Sequence, residues 1–246
     1  IGVYKLSDIG SDVGEFVIQN SSIGTTAFIV NDVSQTLAKF PNNGKDTISK
    51  VTGTTSFTGK QSESRMSRWK TTETAYVSGY FGVEYSFSDL KVASVDDKIN
   101  VTEKAYYGFG DNNRFFIQNL IEELDTPGEY YIDRLNKTLY YYPPYSLENA
   151  DMEISTMIDD MISANDISYV TIKGLGLKNA RKNGINITKS NNVIIDGCDI
   201  ENIGRNGIIL SECSNSKLIN NDVAHIEAMG IQVSGGDRQT LTRADI

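Results

Sequence analysis

Apolar residues recur with a period of 23 residues between positions 167 and 236. Within each repeat they alternate over short runs separated by Gly, Asn and Asp, which predicts three short strands and three turns. A unit of this length cannot bury its apolar face alone, so its copies must stack as a parallel β-helix. The columns that a 23-residue shift superposes are Ile172, Ile195 and Leu218; Leu177, Ile200 and Val223; Gly184, Gly207 and Gly230; and Ile185, Ile208 and Ile231.

The repeat extends in weaker form to either side. Shifting back by one period places Ile154 in the column of Leu177 and Ile162 in that of Ile185, which predicts a degenerate first coil. The stretch 237–243 breaks the period, so we expect it to leave the coil as a loop. We therefore predict parallel β-helix coils over residues 146–246. No capping repeat is readable after Gly236, and we expect the coils to be truncated at this end of a longer protein.

Residues 1–145 follow another pattern, with short alternating segments between Gly, Asn, Asp and Ser. Regular turns without a helical run are typical of a sandwich or barrel, and we predict a β-sandwich-like domain. Its Tyr and Phe residues and Trp69 could stack sugars, although core positions are the commoner use of such residues. The predicted strands are 3–6, 15–19, 27–30, 47–51, 75–77 and 90–95.

The end of this domain carries one predicted helix and one predicted hairpin. Apolar residues at i, i+3, i+4 and i+7 predict a short helix over about 117–124. Its acidic residues, Glu122, Glu123 and Asp125, we expect to be solvated on the polar face. Two strands, 130–132 and 138–142, flank turn residues and predict the hairpin.

Composition narrows the range of partners. The 246 residues carry a net charge of -9, which argues against nucleic acid and anionic membranes, because both select basic patches. No transmembrane run or signal peptide is readable. The two cysteines, Cys198 and Cys213, do not make a disulfide framework, and Cys198 falls in an inward column of the coil.

Three stretches carry a resemblance to a known group: FIVNDVSQTLAKFPN at 28–42, RFFIQNLIEELDTPGEYYIDRLNKTLYYYPP at 114–144 and SGGDRQTLT at 234–242. The coils by themselves resemble the right-handed parallel β-helix proteins of the pectate-lyase-like group, and the three stretches, read together, give a closer match. More specifically, they resemble bacterial β-xylosidase-like glycoside hydrolases in which a β-sandwich interrupts the β-helix. The fold class expected is therefore all-β, with right-handed parallel β-helix coils preceded by a β-sandwich-like domain.

The resemblance implies a secreted or cell-surface glycoside hydrolase acting on polysaccharide or oligosaccharide. It also implies that the catalytic acids lie in coils beyond residue 246, so we expect the longer protein to be the enzyme and this chain alone to be inactive. One alternative is a noncatalytic β-helix that binds glycan or acts as an adhesin. Another is a polysaccharide lyase, which the net charge of -9 disfavours because a lyase must neutralise an acidic sugar.

Two acids of the coils are candidate catalytic residues. Hydrolysis of a glycosidic bond uses two carboxylates about 5 Å apart for retention or roughly 6.5 to 9.5 Å apart for inversion. Asp199 and Asp222 stand one period apart on outward positions, and stacked coils are ~4.8 Å apart. Like charges this close would raise the pKa of one carboxyl or require a cation such as calcium. Two solvated acids that splay apart are the structural alternative.

Asp237 and Arg238 are the other candidates, because they lie in the SGGDR stretch that carries the resemblance. A turn in which Asp237 bonds backbone N–H groups and pairs with Arg238 is the structural alternative. His225, the sole histidine, shares its column with Asn179 and Asn202, which favours a polar turn ladder over a general base. One histidine without suitable cysteines disfavours a zinc site.

Overall fold

The computed structural model describes residues 1–5, 24–133, 135–237, 239–240 and 242–243. They fall into two compact units. The first unit holds residues 1–5 and 35–150, and the second holds residues 24–34 and 151–243. The sequence analysis places 24–34 in the first domain, whereas in the structure this segment lies with the second unit.

Strands account for nearly all the regular structure of the described residues. Those before residue 145 are β1 (Gly2–Lys5), β2 (Phe28–Val30), β3 (Val33–Ser34), β4 (Thr36–Leu37), β5 (Lys39–Phe40), β6 (Asp46–Gly53), β7 (Ser56–Gly59), β8 (Tyr76–Tyr80), β9 (Phe87–Val95), β10 (Ile99–Val101), β11 (Arg114–Gln118), β12 (Glu129–Asp133) and β13 (Thr138–Tyr142). Those after it are β14 (Met152–Ile154), β15 (Ile162–Asn165), β16 (Thr171–Lys173), β17 (Gly176–Lys178), β18 (Ile185–Thr188), β19 (Ile194–Asp196), β20 (Asp199–Ile203), β21 (Asn206–Ser211), β22 (Lys217–Ile219), β23 (Asp222–Ile226), β24 (Met229–Ser234), β25 (Gly236–Asp237) and β26 (Thr242–Arg243).

The first unit contains a closed antiparallel sheet and a smaller sheet. Strands β6, β7, β10, β9 and β8 pair in that order, and β11 joins both ends by pairing with β6 and with β8. Closure leaves this ring without open edges. The sandwich-like domain of the sequence analysis thus takes a barrel-like form, beside a sheet of order β1-β13-β12-β4 that includes the predicted hairpin. The predicted strand at 15–19 lies outside the described residues.

The ring encloses a cluster of buried aromatic and aliphatic residues. Trp69 is one of them, at 2% exposure, so it serves the core and is not an exposed sugar platform. The other members of this cluster are Ile48, Phe57, Met66, Ala75, Val77, Phe81, Leu90, Val92, Ile99, Val101, Ala105, Phe115, Ile117 and Leu120.

The helix predicted over 117–124 is wrong. Ile117 belongs to β11, and a 3-10 helix covers only Ile121–Glu123. Between them Asn119 adopts a φ of 59° and is fully buried, where its Nδ2 donates to the Thr74 carbonyl oxygen at 3.1 Å. The helical stripe arose because Ile117 and Leu120 enter the core of the closed sheet, whereas Leu124 is buried in a second cluster with Ala38 and Tyr131. Strand pairing overrides the local pattern. The other helical turns of the described chain are also 3-10: Ser62–Ser64 and Met66–Arg68.

The acids of this stretch are not all solvated, which corrects a second expectation. Glu123 has no exposed surface. Its carboxylate accepts hydrogen bonds from Arg65 Nε at 3.1 Å and from Trp69 Nε1 at 2.6 Å, and it forms an ion pair with the Arg65 guanidinium. A buried charge is tolerated only with such partners. Glu123 is therefore a structural residue of the core.

The second unit is a parallel β-helix of about three turns, as predicted. Its sheets run β15-β18-β21-β24, β16-β19-β22 and β17-β20-β23. The 23-residue columns are the observed strand registers: Ile185 pairs with Ile208 and Ile208 with Ile231. Cys198 is buried in the interior, as predicted, and both cysteines are free thiols. The buried interior consists of Leu177, Ala180, Ile185, Ile187, Val193, Ile195, Cys198, Ile200, Ile203, Ile208, Leu210 and Cys213.

The degenerate first coil is confirmed in part. Ile162 pairs in parallel with Ile185, as the shift predicts. Ile154 does not stack on Leu177, because β14 pairs antiparallel with β2 and places Ile154 opposite Phe28. Segment 24–34 thus provides β14 with a pairing strand that the 23-residue repeat does not predict. Thr25 N also donates to the Gly204 carbonyl oxygen at 2.9 Å, which holds this segment against the coils.

After β24 the chain leaves the coil as the antiparallel strand pair β25 and β26, where the sequence predicted a loop. In it Gly236 lies opposite Arg243 and Asp237 opposite Thr242. On β24, the inward residues Ile231 and Val233 are about half exposed, at 49% and 47%. The same column is fully buried one coil earlier, at Ile208 and Leu210. The described coil stack therefore ends on an apolar surface.

Candidate functional site

The outward face of sheet β17-β20-β23 carries the acid pair expected from the sequence. Asp199 lies directly opposite Asp222 in the parallel register of β20 and β23, and both side chains are exposed. Two residues further along β20, Glu201 lies opposite Lys178 of β17 and Ala224 of β23. The structure thus brings Asp199 and Asp222 together at the ~4.8 Å strand spacing.

Lys178 neutralises part of this negative charge. Its Nζ lies 3.0 Å from Glu201 Oε2 and 3.6 Å from Asp199 Oδ2. The hydrogen bond to Glu201, reinforced by the charges of Glu201 and Asp199, raises the pKa of Lys178. Lys178 therefore stays protonated, and Asp199 is part of a mixed-charge ladder. Such exposed pairs mainly organise a surface.

A column of turn residues borders this face. Asn179, Asn202 and His225 follow one another at the 23-residue period, and all have positive φ, between 52° and 63°. Asn202 Nδ2 donates to Asn179 Oδ1 at 3.2 Å and to the Asp32 carbonyl oxygen at 3.2 Å. His225 Nε2 lies 4.0 Å from Glu201 Oε1. The short amides of Asn suit this left-handed backbone, and His replaces Asn on the last coil.

A cleft of about 170 Å³ opens beside His225. This volume is below the ~300–1,000 Å³ typical of a complete ligand site. It can therefore enclose part of a ligand only. Polar and apolar side chains share its lining, which consists of Ala27, Ser34, Asn202, Ile203, Gly204, His225, Ile226 and Glu227.

Glu227 is the titratable acid of this cleft and was missed by the sequence analysis. Its backbone N–H donates to the Ile203 carbonyl oxygen at 3.0 Å, which fixes it above Gly204 in the stack. Glu227 is an exposed residue by surface area, yet the protein packed around its carboxyl desolvates it and raises the pKa of Glu227. Glu227 shares its 23-residue column with Arg181 and Gly204, both buried, so the repeat does not mark this position as an acid.

The other two candidates from the sequence lie elsewhere. Asp237 is on β25, where its backbone pairs with Thr242. Arg238 lies outside the described residues, so the proposed pairing of Asp237 with Arg238 stays a prediction. No group of three or more His, Cys, Asp or Glu side chains in the described chain is placed to hold a metal ion. None of the helices in the described ranges is long and apolar enough to cross a membrane.

Comparison with known proteins identifies the coil architecture. Residues 146–245 match the family described as "Right handed beta helix region", so the parallel coils are those of a right-handed β-helix. A solved structure entitled "Glycoside hydrolase" is similar in fold, with a TM-score of 0.52 and 10% sequence identity. The match covers 79% of this chain and 54% of that one, so this chain spans about half the length of its structural neighbour. No curated protein matches the sequence.

Proposed function

We propose that this chain is part of a secreted or cell-surface glycoside hydrolase acting on polysaccharide or oligosaccharide. The observation that carries the proposal is the similarity to a structure named as a glycoside hydrolase. That similarity covers 79% of the chain, whereas the β-helix family matches residues 146–245, so it extends beyond the coils. The sequence resemblance at 28–42, 114–144 and 234–242 points to the same class.

The cleft at His225 is the sugar-contacting region we assign within the coil unit. Sugars present hydroxyl groups and apolar C–H faces, and binding sites meet them with a few convergent polar groups on an apolar lining. Here His225, Glu227 and Asn202 offer polar groups, and Ile203 and Ile226 offer apolar surface. The volume of about 170 Å³ suits a fraction of a glycan, with the rest lying along the outward face of the coils.

The carboxylate pair that hydrolyses the bond lies, in this proposal, mainly beyond residue 246. Of the described acids, Asp199 is ion-paired with Lys178, and Asp222 lies opposite Asp199 on an exposed surface. Glu227 has one property of a general acid, a raised pKa beside a cleft. Glycoside hydrolysis needs a second carboxylate at a defined distance from such an acid. Further coils would be the place for it.

A noncatalytic glycan-binding β-helix is the second candidate. The ion pairs of Lys178 with Asp199 and Glu201 favour it, because acids held in a charge ladder serve structure and binding and not bond cleavage. In that case the whole protein binds glycan without releasing sugar.

A hydrolysis assay with a panel of neutral and acidic glycans separates the two. Reducing ends should be released by the longer protein that contains this sequence and not by the 246-residue chain. If the longer protein binds glycans but releases no sugar from any of them, the noncatalytic function is correct. Turnover by the 246-residue chain, abolished by Glu227→Gln or by Asp222→Asn, would instead place the active centre within it.

A further inference from the structure

Three exposed tyrosines lie together on two loops of the first unit. Tyr85 lies between β8 and β9, and Tyr106 and Tyr107 lie between β10 and β11. Their exposed fractions are 78%, 84% and 48%. We call Tyr85, Tyr106 and Tyr107 the tyrosine surface. Since an aromatic ring stabilises a fold through the area it buries, rings this exposed contribute little to folding.

The rings of the tyrosine surface contact one another edge to face. Tyr106 and Tyr107 have centroids 4.8 Å apart with an interplanar angle of 82°, and Tyr85 and Tyr107 are 5.9 Å apart at 76°. A side-chain hydrogen bond with Tyr85 raises the pKa of Tyr107. These contacts restrict the rings before any ligand arrives, which lowers the entropy lost on binding.

The two loops are also held to each other. Asn113 Oδ1 accepts hydrogen bonds from Gly82 N at 2.9 Å and from Gly110 N at 2.7 Å. Gly82 has a φ of 73°, and a Cβ there would lie 2.5 Å from the Tyr107 carbonyl oxygen. Only glycine permits this close approach. The tyrosine surface therefore sits on a fixed loop pair.

Other aromatic residues of the same loops are turned inward. Phe81 is 1% exposed, and its ring contacts Phe109 with centroids 5.1 Å apart. Phe109 also contacts Phe57 of the ring core at 4.8 Å. The apolar phenylalanines thus anchor the loops, whereas the tyrosines, which carry a polar hydroxyl, are the aromatic residues that remain exposed.

We propose that the tyrosine surface binds a neutral oligosaccharide by stacking its pyranose rings on Tyr85 and Tyr106. The negative face of an aromatic ring attracts the C–H groups of a sugar face, and the tyrosine hydroxyls bond the sugar hydroxyls. This surface belongs to the first unit and shares no residue with the cleft at His225. The inference rests on the proposed function for its ligand class.

Size and charge favour this ligand over the alternatives. If a free tyrosine offers roughly 200 Å², the three rings expose on the order of 400 Å². A standard protein interface buries about 800 Å² per partner, so the surface is small for a protein. Nucleic acid bases also stack on aromatic rings, but they need a basic groove, and the chain carries a net charge of -9. The same charge repels acidic polysaccharides.

The test is the affinity of the whole chain for cello-, xylo- and manno-oligosaccharides, measured by titration calorimetry, with oligogalacturonate as the acidic comparison. Tyr85→Ala combined with Tyr106→Ala should weaken binding of the neutral ligand by roughly tenfold or more, equal to about 1.4 kcal/mol. Tyr106→Phe, which keeps the ring, should bind within about threefold of the original. Tyr169→Ala removes a tyrosine of similar exposure, 81%, from the second unit and should leave the affinity unchanged.

The fluorescence melting curve of Trp69 shows that the variants of the first unit remain folded, and melting followed by circular dichroism shows it for Tyr169→Ala. If the original chain binds a neutral oligosaccharide and the double variant binds it equally well, the inference fails and the proposed function stands. If the original chain binds none of the neutral oligosaccharides, both fail. Selective binding of oligogalacturonate would overturn the assignment of a neutral ligand.

Discussion

Asp199 and Asp222 lie opposite each other on adjacent parallel strands, and Lys178 lies 3.6 Å from Asp199 on the preceding coil. Like charges in this position destabilise a sheet, and a cation beside them relieves the repulsion. Lys178→Met should therefore lower the melting temperature in dilute buffer, with a smaller effect at high salt because ions screen exposed charges. Asp222→Asn should leave the melting temperature unchanged or raise it. If Asp222→Asn lowers the melting temperature as much as Lys178→Met does, Asp222 makes a stabilising contact that the structure does not show.

The column of Ile185, Ile208 and Ile231 permits a matched test of the coil interior. Ile208 is fully buried between two coils, whereas Ile231 is 49% exposed. Truncating a buried isoleucine costs about 2–5 kcal/mol, so Ile208→Ala should fall in that range. Ile231→Ala should cost less than half as much, as measured by urea unfolding followed by circular dichroism. Ile208→Asp should abolish folding of the coils. Equal losses of unfolding free energy from Ile208→Ala and Ile231→Ala would contradict the assignment of this column to the coil interior.

Glu123 gives a prediction for the first unit. Because its buried carboxylate bonds Arg65 and Trp69, Glu123→Ala should destabilise this unit by about 3–5 kcal/mol. Trp69, the sole tryptophan, reports the transition by fluorescence. Glu63→Ala, at an exposed position, serves as the control and should change stability by less than about 0.5 kcal/mol. A Glu123 variant as stable as the control would show that the carboxylate is solvated.

Glu227 links the cleft to pH. Desolvation of its carboxyl by the surrounding protein raises the pKa of Glu227 above the ordinary 4.5, so the folded protein holds this proton more tightly than the unfolded chain does. The stabilisation is complete below pH 4.5 and is lost as the pH rises through the folded pKa. Glu227→Gln should therefore gain stability relative to the original chain over that interval. Denaturant unfolding at several pH values checks this, with the exposed Glu212→Gln as control. If the difference in unfolding free energy between Glu227→Gln and the original chain does not change with pH, the Glu227 carboxyl is fully hydrated.

The parts of the fold that repeat were predictable from the sequence, for a physical reason. An apolar column such as Ile172, Ile195 and Leu218 is buried only if coils stack in register, so its spacing determines the strand pairing. The hairpin of β12 and β13 was likewise readable, because its strands are adjacent in the chain.

Contacts between distant segments could not be predicted in this way. Strand β2 pairs with β14 more than 120 residues later, and no period relates the two. The helical stripe over 117–124 misled because its residues enter two separate clusters, Ile117 in one and Leu124 in the other. Glu227 was missed because its cleft needs Ala27 and Ser34, which reach it only through the folded segment 24–34. Asp199 and Asp222, which belong to the repeat, were placed correctly opposite each other.

The most direct test of the central claim is a binding measurement of the 246-residue chain against a panel of neutral glycans, with release of reducing ends followed in the same samples. This account predicts saturable binding to at least one neutral glycan and no release of sugar by this chain. Absence of binding to every neutral glycan would contradict a role in carbohydrate recognition. Sugar release that Glu227→Gln abolishes would contradict the placement of the catalytic pair mainly beyond residue 246.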